Sequence, residues 1–255
     1  MAKVFKYVVY DIIKNRFVIG YTLLLLAMSM SFFSFESDPN KGLLSMLNII
    51  LIVVPLVSVI FSTIHFYNSY EFLELLSAQP MSRKTIFFSQ YFGVCFSLCL
   101  AFLLGVGLPT YIFEGSIRGF TLIFSGFLLT LIFVSIAFFA SVLTRDKAKG
   151  IGLALALWFY FCLLFDGIVL SILLGMSDYP MEKASLAFTA FNPTDLARIL
   201  VLMKLDVSAL MGITGAVFQN FFSSNIGISI AIGLLMLWIF IPIRMAYGVF
   251  NKKDL

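Results

Sequence analysis

The chain has 255 residues, 61% of them hydrophobic and 12% charged, with 30 phenylalanines and a formal net charge of +4. This is too apolar for a water-soluble globule of that length, which excludes a soluble enzyme or a nucleic-acid-binding domain and leaves an integral membrane protein. No Pro-, Ser- or Gly-rich linker divides it, so residues 1–255 read as one all-α transmembrane domain in a lipid bilayer, with no nucleic acid as partner.

Residues 1–16 place Lys3, Lys6, Tyr10 and Lys14 on one helical stripe and Val4, Phe5, Val8 and Ile12 on the opposite one, which predicts a helix lying in the membrane interface. A bilayer core about 30 Å thick needs roughly 20 apolar residues of helix. Six stretches meet or approach that: Phe17–Phe35, Leu43–Phe66, Phe87–Phe113, Phe120–Leu143, Gly150–Leu174 and Ile226–Tyr247. The third is long and carries Gly105, Gly107 and Pro109, which predicts a tilt or a broken end. With the N-terminus in the cytoplasm, twelve of the 17 lysines and arginines fall on the inner side. Both termini are therefore expected inside, and the positive charge serves topology.

Between spans 2 and 3, residues 67–83 carry their own start and stop signals. Asn68 with Glu71 reads as a capping-box-like entry and Pro80 as a stop, so a short cytoplasmic helix is expected. Its Leu73 and Leu76 form an apolar side, and Glu71 and Glu74 an acidic one. That surface suits a soluble partner or a rest on the membrane. Residues 176–225 form the longest connection, expected outside the cytoplasm. There Asn192 reads as a helix cap, Pro193 as the first helical position and Asp195 as a first-turn acid. Leu196, Ile199, Leu200 and Met203 then follow at amphipathic spacing, and residues 208–222 read as a re-entrant piece.

Catalytic chemistry has little to stand on. No phosphate loop, H-E-x-x-H or G-x-S-x-G motif occurs, so the chain reads as a non-enzyme that holds no cofactor of its own. The single histidine, His65, reads as an interfacial structural residue. Cys95 and Cys99, four apart on span 3, are candidates for a soft metal such as Cu(I) or simple packing residues. Gly150 with Ala154 and Gly152 with Ala156 give span 5 two small-xxx-small pairs that suit close helix approach within the chain or between copies. Asp166 sits inside span 5, where a carboxylate costs roughly 2.5–3.5 kcal/mol. It lines an aqueous route together with Cys162, pairs with a polar group of a neighbouring span or subunit, or snorkels outward.

The six spans, the N-terminal helix, "EFLELLSAQPMSRKTI" after span 2 and the long outer segment resemble the permease subunits of ABC-2-type transporters. In that family the loop reads as an acidic residue, "LE.LL", a proline and Ser-Arg, matched here by Glu71, Leu73, Glu74, Leu75, Leu76, Pro80, Ser82 and Arg83. "KAKGIGLALALWFYFCLLFDGIVL" and "NPTDLARIL" resemble the NosY-type permeases, which serve maturation of the copper enzyme nitrous oxide reductase. The resemblance implies a homodimer in a bacterial inner membrane with two copies of a cytoplasmic ATPase that binds ATP and Mg and couples through residues 67–83. It further implies a periplasmic beta-helical partner and a copper- or sulfur-related cargo. Two other functions stay open: export of a lipid, peptide or drug, and a non-transporting module that transmits motion to an outer protein.

Overall fold

The computed structural model describes residues 2–36, 38–70, 82–175, 187–205 and 225–252, and among them every regular element is a helix. Helix α1 is Ala2–Ile13, α2 Arg16–Phe35, α3 Pro39–Asn68, α4 Arg83–Phe113 and α5 Ile117–Leu143. Helix α6 runs as Lys147–Phe159, Tyr160–Leu164 and Phe165–Gly175, followed by α7, Pro193–Lys204, and α8, Asn225–Lys252. Six of these, α2 to α6 and α8, are long and apolar enough to cross a membrane, and each predicted span lies inside one of them.

The helix starts have a common chemical cause. The side chains of Asn15, Asp38, Ser82, Ser116, Asp146 and Asn192 each accept a backbone N–H at the second or third helical position of α2 to α7 in turn. Each supplies an acceptor to a donor that the helix itself leaves unpaired. At Asp146 the N–H of Lys149 holds the carboxyl below the usual carboxylate range. Asn68, expected to open a helix, instead closes α3, and its Oδ1 accepts from Lys147 Nζ at 2.8 Å.

Helix α5 is the hub, packed against α3, α4, α6, α7 and α8. Its Leu129, Ile132, Phe133 and Phe138 are fully buried, as a helix apolar on every side requires. Helix α1 keeps its predicted faces: Val8 and Ile12 are buried while Lys6, Tyr10 and Lys14 are exposed. The apolar face is covered by α4, whose Gly93 approaches so closely that a Cβ there would stand 2.5 Å from Val8 Cγ1.

Three prolines, Pro55, Pro109 and Pro242, interrupt the backbone ladder inside spans, and at the first two a side chain of another helix meets the freed carbonyl. Pro55 in α3 has no N–H for the carbonyl of Leu51. The Cys162 thiol of α6 donates to that carbonyl at 3.6 Å, and Trp158 Nε1 donates to the next one, Ile52, at 3.3 Å. In α4, Pro109 likewise frees Gly105, whose carbonyl receives the Ser29 hydroxyl of α2 at 2.7 Å. The predicted break in the third span is thus a wide π turn at Leu103–Gly107, with the helix continuing to Phe113. Both termini lie at the same end of this six-span bundle, where Arg83 donates to the Asn251 carbonyl at 3.2 Å.

Candidate functional site

Helix α6 contains a second π turn, Tyr160–Leu164, in which the N–H of Phe165 bonds the carbonyl of Tyr160. In an α-helix that N–H would serve Phe161, so the Phe161 carbonyl is left over. Two side chains from the connection between α6 and α8 converge on it. Asn192 Nδ2 donates at 3.0 Å, and the Thr194 hydroxyl, which also reaches Asn192 Oδ1 at 2.7 Å, stands 2.9 Å away. The same Asn192 Oδ1 caps α7 by accepting the Thr194 N–H at 3.1 Å. Both residues are fully buried.

This contact fixes where the connection runs. Phe161 is halfway along Lys147–Gly175, and Trp238 is halfway along Asn225–Lys252. Trp238 Nε1 donates to the Ala190 carbonyl at 3.2 Å, and its ring meets that of Phe161 edge-on at 5.1 Å. Residues 190–194 therefore enter the bundle to the mid-height of α6 and α8. Helix α7 then buries Leu196, Ala197, Ile199, Leu200 and Val201, chiefly against α5. The predicted cap, Pro193 start and amphipathic stripe are all present, with Met203 only partly covered.

Two residues past the π turn, Asp166 meets a cation. Arg198 Nη1 lies 2.8 Å from Asp166 Oδ2 and 3.2 Å from Asp195 Oδ1, so one guanidinium bridges α6 and the first turn of α7. The Asp166 and Arg198 side chains are 38% and 34% exposed, and the pair is screened accordingly. Asp166 Oδ1 is buried and has no hydrogen-bond partner among the described residues. Of the three sequence readings of Asp166, pairing is the one with a visible partner. That partner is on the inserted helix, whereas the sequence reading looked for it on a span or second subunit. In the sequence Arg198 is only an outer-side charge, and its position three residues after Asp195 is the available signal.

The other candidates separate by environment. Cys162 faces α3, where it serves the Leu51 carbonyl. Cys95 and Cys99 are buried on α4, and among the described residues no three His, Cys, Asp or Glu side chains come together as a metal site. His65 bonds Gln90 Oε1 at 3.1 Å across α3 and α4 and stacks on Phe61. The small pairs of α6 diverge: Gly150 is pressed against Tyr67 and Ala154 is buried, whereas Gly152 has open space around it and Ala156 is exposed. Ser82 caps α4 and Arg83 reaches α8. Glu71, Leu73, Glu74, Leu75, Leu76 and Pro80, like residues 208–222, lie outside the described residues.

The comparison with known proteins agrees with this architecture. A family model described as ABC-2 family transporter protein matches residues 3–255. A "Probable ABC transporter permease protein NosY" of Pseudomonas aeruginosa is 26% identical over 270 aligned residues, spanning 96% of this chain and 95% of that one. A protein of the same name from Stutzerimonas stutzeri is 27% identical over 201 residues, 71% of this chain and 68% of that one. With six membrane-length helices and a family match along almost its whole length, the chain belongs to the ABC-2 family of transporter proteins.

Proposed function

We propose that this chain is the permease subunit of a homodimeric ABC transporter driven by two copies of a separate cytoplasmic ATPase, and that it acts as NosY-type permeases do in maturation of nitrous oxide reductase. The likeness to a permease named NosY over 96% of the chain carries this reading. It sits in the bacterial inner membrane with both termini in the cytoplasm, in keeping with the bias of lysine and arginine. ATP and Mg belong to the partner ATPase, which docks on residues 67–83. The cargo is a copper- or sulfur-related species, and a beta-helical protein receives it outside.

A second reading has an observation of its own in its favour. Asn192, Thr194 and Arg198 fasten the inserted segment to α6, so a displacement of α6 carries the connection between α6 and α8 with it. Such a device transmits motion to an outer protein even where no cargo passes.

Reversing the charges of Glu71 and Glu74 to lysine abolishes co-purification of the ATPase while membrane insertion stays normal. Unchanged co-purification removes the docking assignment. For the dimer, the exposed pair of α6 is the contact face. Cysteines at Gly152 and Ala156 should therefore crosslink two copies, and a cysteine at Ala154 should not; the reverse pattern contradicts this face. Asp166→Leu and Arg198→Leu should each destabilise the purified chain by about 1–2 kcal/mol, less than a fully buried pair because both groups are partly hydrated. The double variant should recover only part of that loss, because the Asp195 carboxylate also loses its cation. Enzyme maturation retained in the double variant identifies the pair as a fastening, and maturation lost at equal abundance and stability identifies Asp166 or Arg198 as a contact of the cargo.

A further inference from the structure

A groove of about 500 Å³ opens between α4 and α8, with α5 as its floor. None of it is formed by α6 or α7, so it is separate from the fastening just described. Its walls are apolar and aromatic, with Phe88, Phe92, Leu131, Phe240 and Ile243 prominent, and the Phe88 and Tyr247 rings meet at a tilt of 40°, 5.5 Å apart, across the two helices. From Lys84 to Cys95 the groove follows α4 for about 16 Å toward mid-bundle, running down one helical face. Lys84 and Arg244 line the same groove from the end of the bundle that holds both termini. Both are exposed, and neither has a hydrogen bond or ion pair with the described residues. A second, wholly apolar groove of about 630 Å³ adjoins it and shares Phe92, Cys95 and Leu131.

We propose that this pair of grooves is a binding site for one anionic phospholipid of the leaflet on the side of the termini, with its phosphate between Lys84 and Arg244 and its acyl chains on either side of Phe92. The charge complementarity decides the occupant. A zwitterionic lipid brings its phosphate together with an ammonium that repels Lys84 and Arg244, whereas an anionic lipid adds no cation, and a soluble anion leaves the apolar walls unused. Two cations attached to aliphatic stems at the end of an aromatic trough match a headgroup and its chains together.

The full-length chain, in phosphatidylcholine nanodiscs with increasing phosphatidylglycerol, provides the test, read by native mass spectrometry of retained lipid and by the thermal midpoint. Wild type should retain phosphatidylglycerol and gain stability from it. Lys84→Gln and Arg244→Gln should each weaken this about fivefold, and the double variant about thirtyfold. The charge-preserving Lys84→Arg with Arg244→Lys should behave as wild type. Ile243→Trp keeps both cations but fills the trough, and it should lose the retained lipid as well. Should the neutral double variant not fold, the Ile243→Trp result decides alone. Wild-type retention in Ile243→Trp means general surface attraction and overturns the site. So does unchanged retention in the neutral double variant, or an equal thermal shift from inorganic phosphate, which would identify a free-anion site.

Discussion

A backbone carbonyl without an N–H partner has no water to turn to inside a bilayer, and the carbonyls of Leu51, Gly105 and Phe161 tie this bundle together through the donors that meet them. Pro55 frees Leu51, Pro109 frees Gly105, and the π turn of α6 frees Phe161. Each receives a donor from a different element: Cys162 from α6, Ser29 from α2, Asn192 and Thr194 from the inserted segment. Irregular backbone thus sets which helices must be neighbours. Apolar packing alone is indifferent among many arrangements of greasy helices, since lipid tails are as apolar as leucine.

The Phe161 contact has the widest consequence. It draws residues 190–194 to the mid-height of α6 and α8, which positions α7 against α5 and brings Arg198 to Asp166. The ion pair is the weaker fastening, because it is partly hydrated and its desolvation offsets much of its attraction. The carbonyl contact is fully buried and leaves an expensive orphan if it is lost. Helix α6 therefore has two dissimilar faces. One is fixed to α3 and the inserted segment, and the other, with Gly152 and Ala156, is open. In a transporter subunit that division lets one helix carry the connecting segment while presenting a free face to a neighbour.

Much of this was legible in the sequence. The six spans were, because hydrocarbon demands long apolar helices, and so were the faces of α1 and the Asn192 cap, which depend on local spacing. What the sequence hid was non-local. Asp166 stood out as a costly charge, but its partner lies 32 positions away on a helix read as peripheral. Cys162 stands out in the sequence only as one turn from Asp166, and its contact with the Leu51 carbonyl of α3 leaves no signature in hydrophobic spacing. The pairs Gly150 with Ala154 and Gly152 with Ala156 look alike in sequence, and only Tyr67 packing on Gly150 separates them. Asn68 was read as a start because its side chain suits a cap, whereas α3 runs through it.

The central claim is that the buried Phe161 carbonyl, shared by two donors, holds the inserted segment in the bundle. Unfolding of the purified chain as a double-mutant cycle of Asn192→Ser and Thr194→Val tests it most directly, because serine keeps the helix cap but not the reach to Phe161. Either single variant leaves one donor on the carbonyl, whereas the pair leaves none. The account predicts a destabilisation in the double variant that exceeds the sum of the singles by about 1–3 kcal/mol. A double variant no less stable than that sum would contradict it.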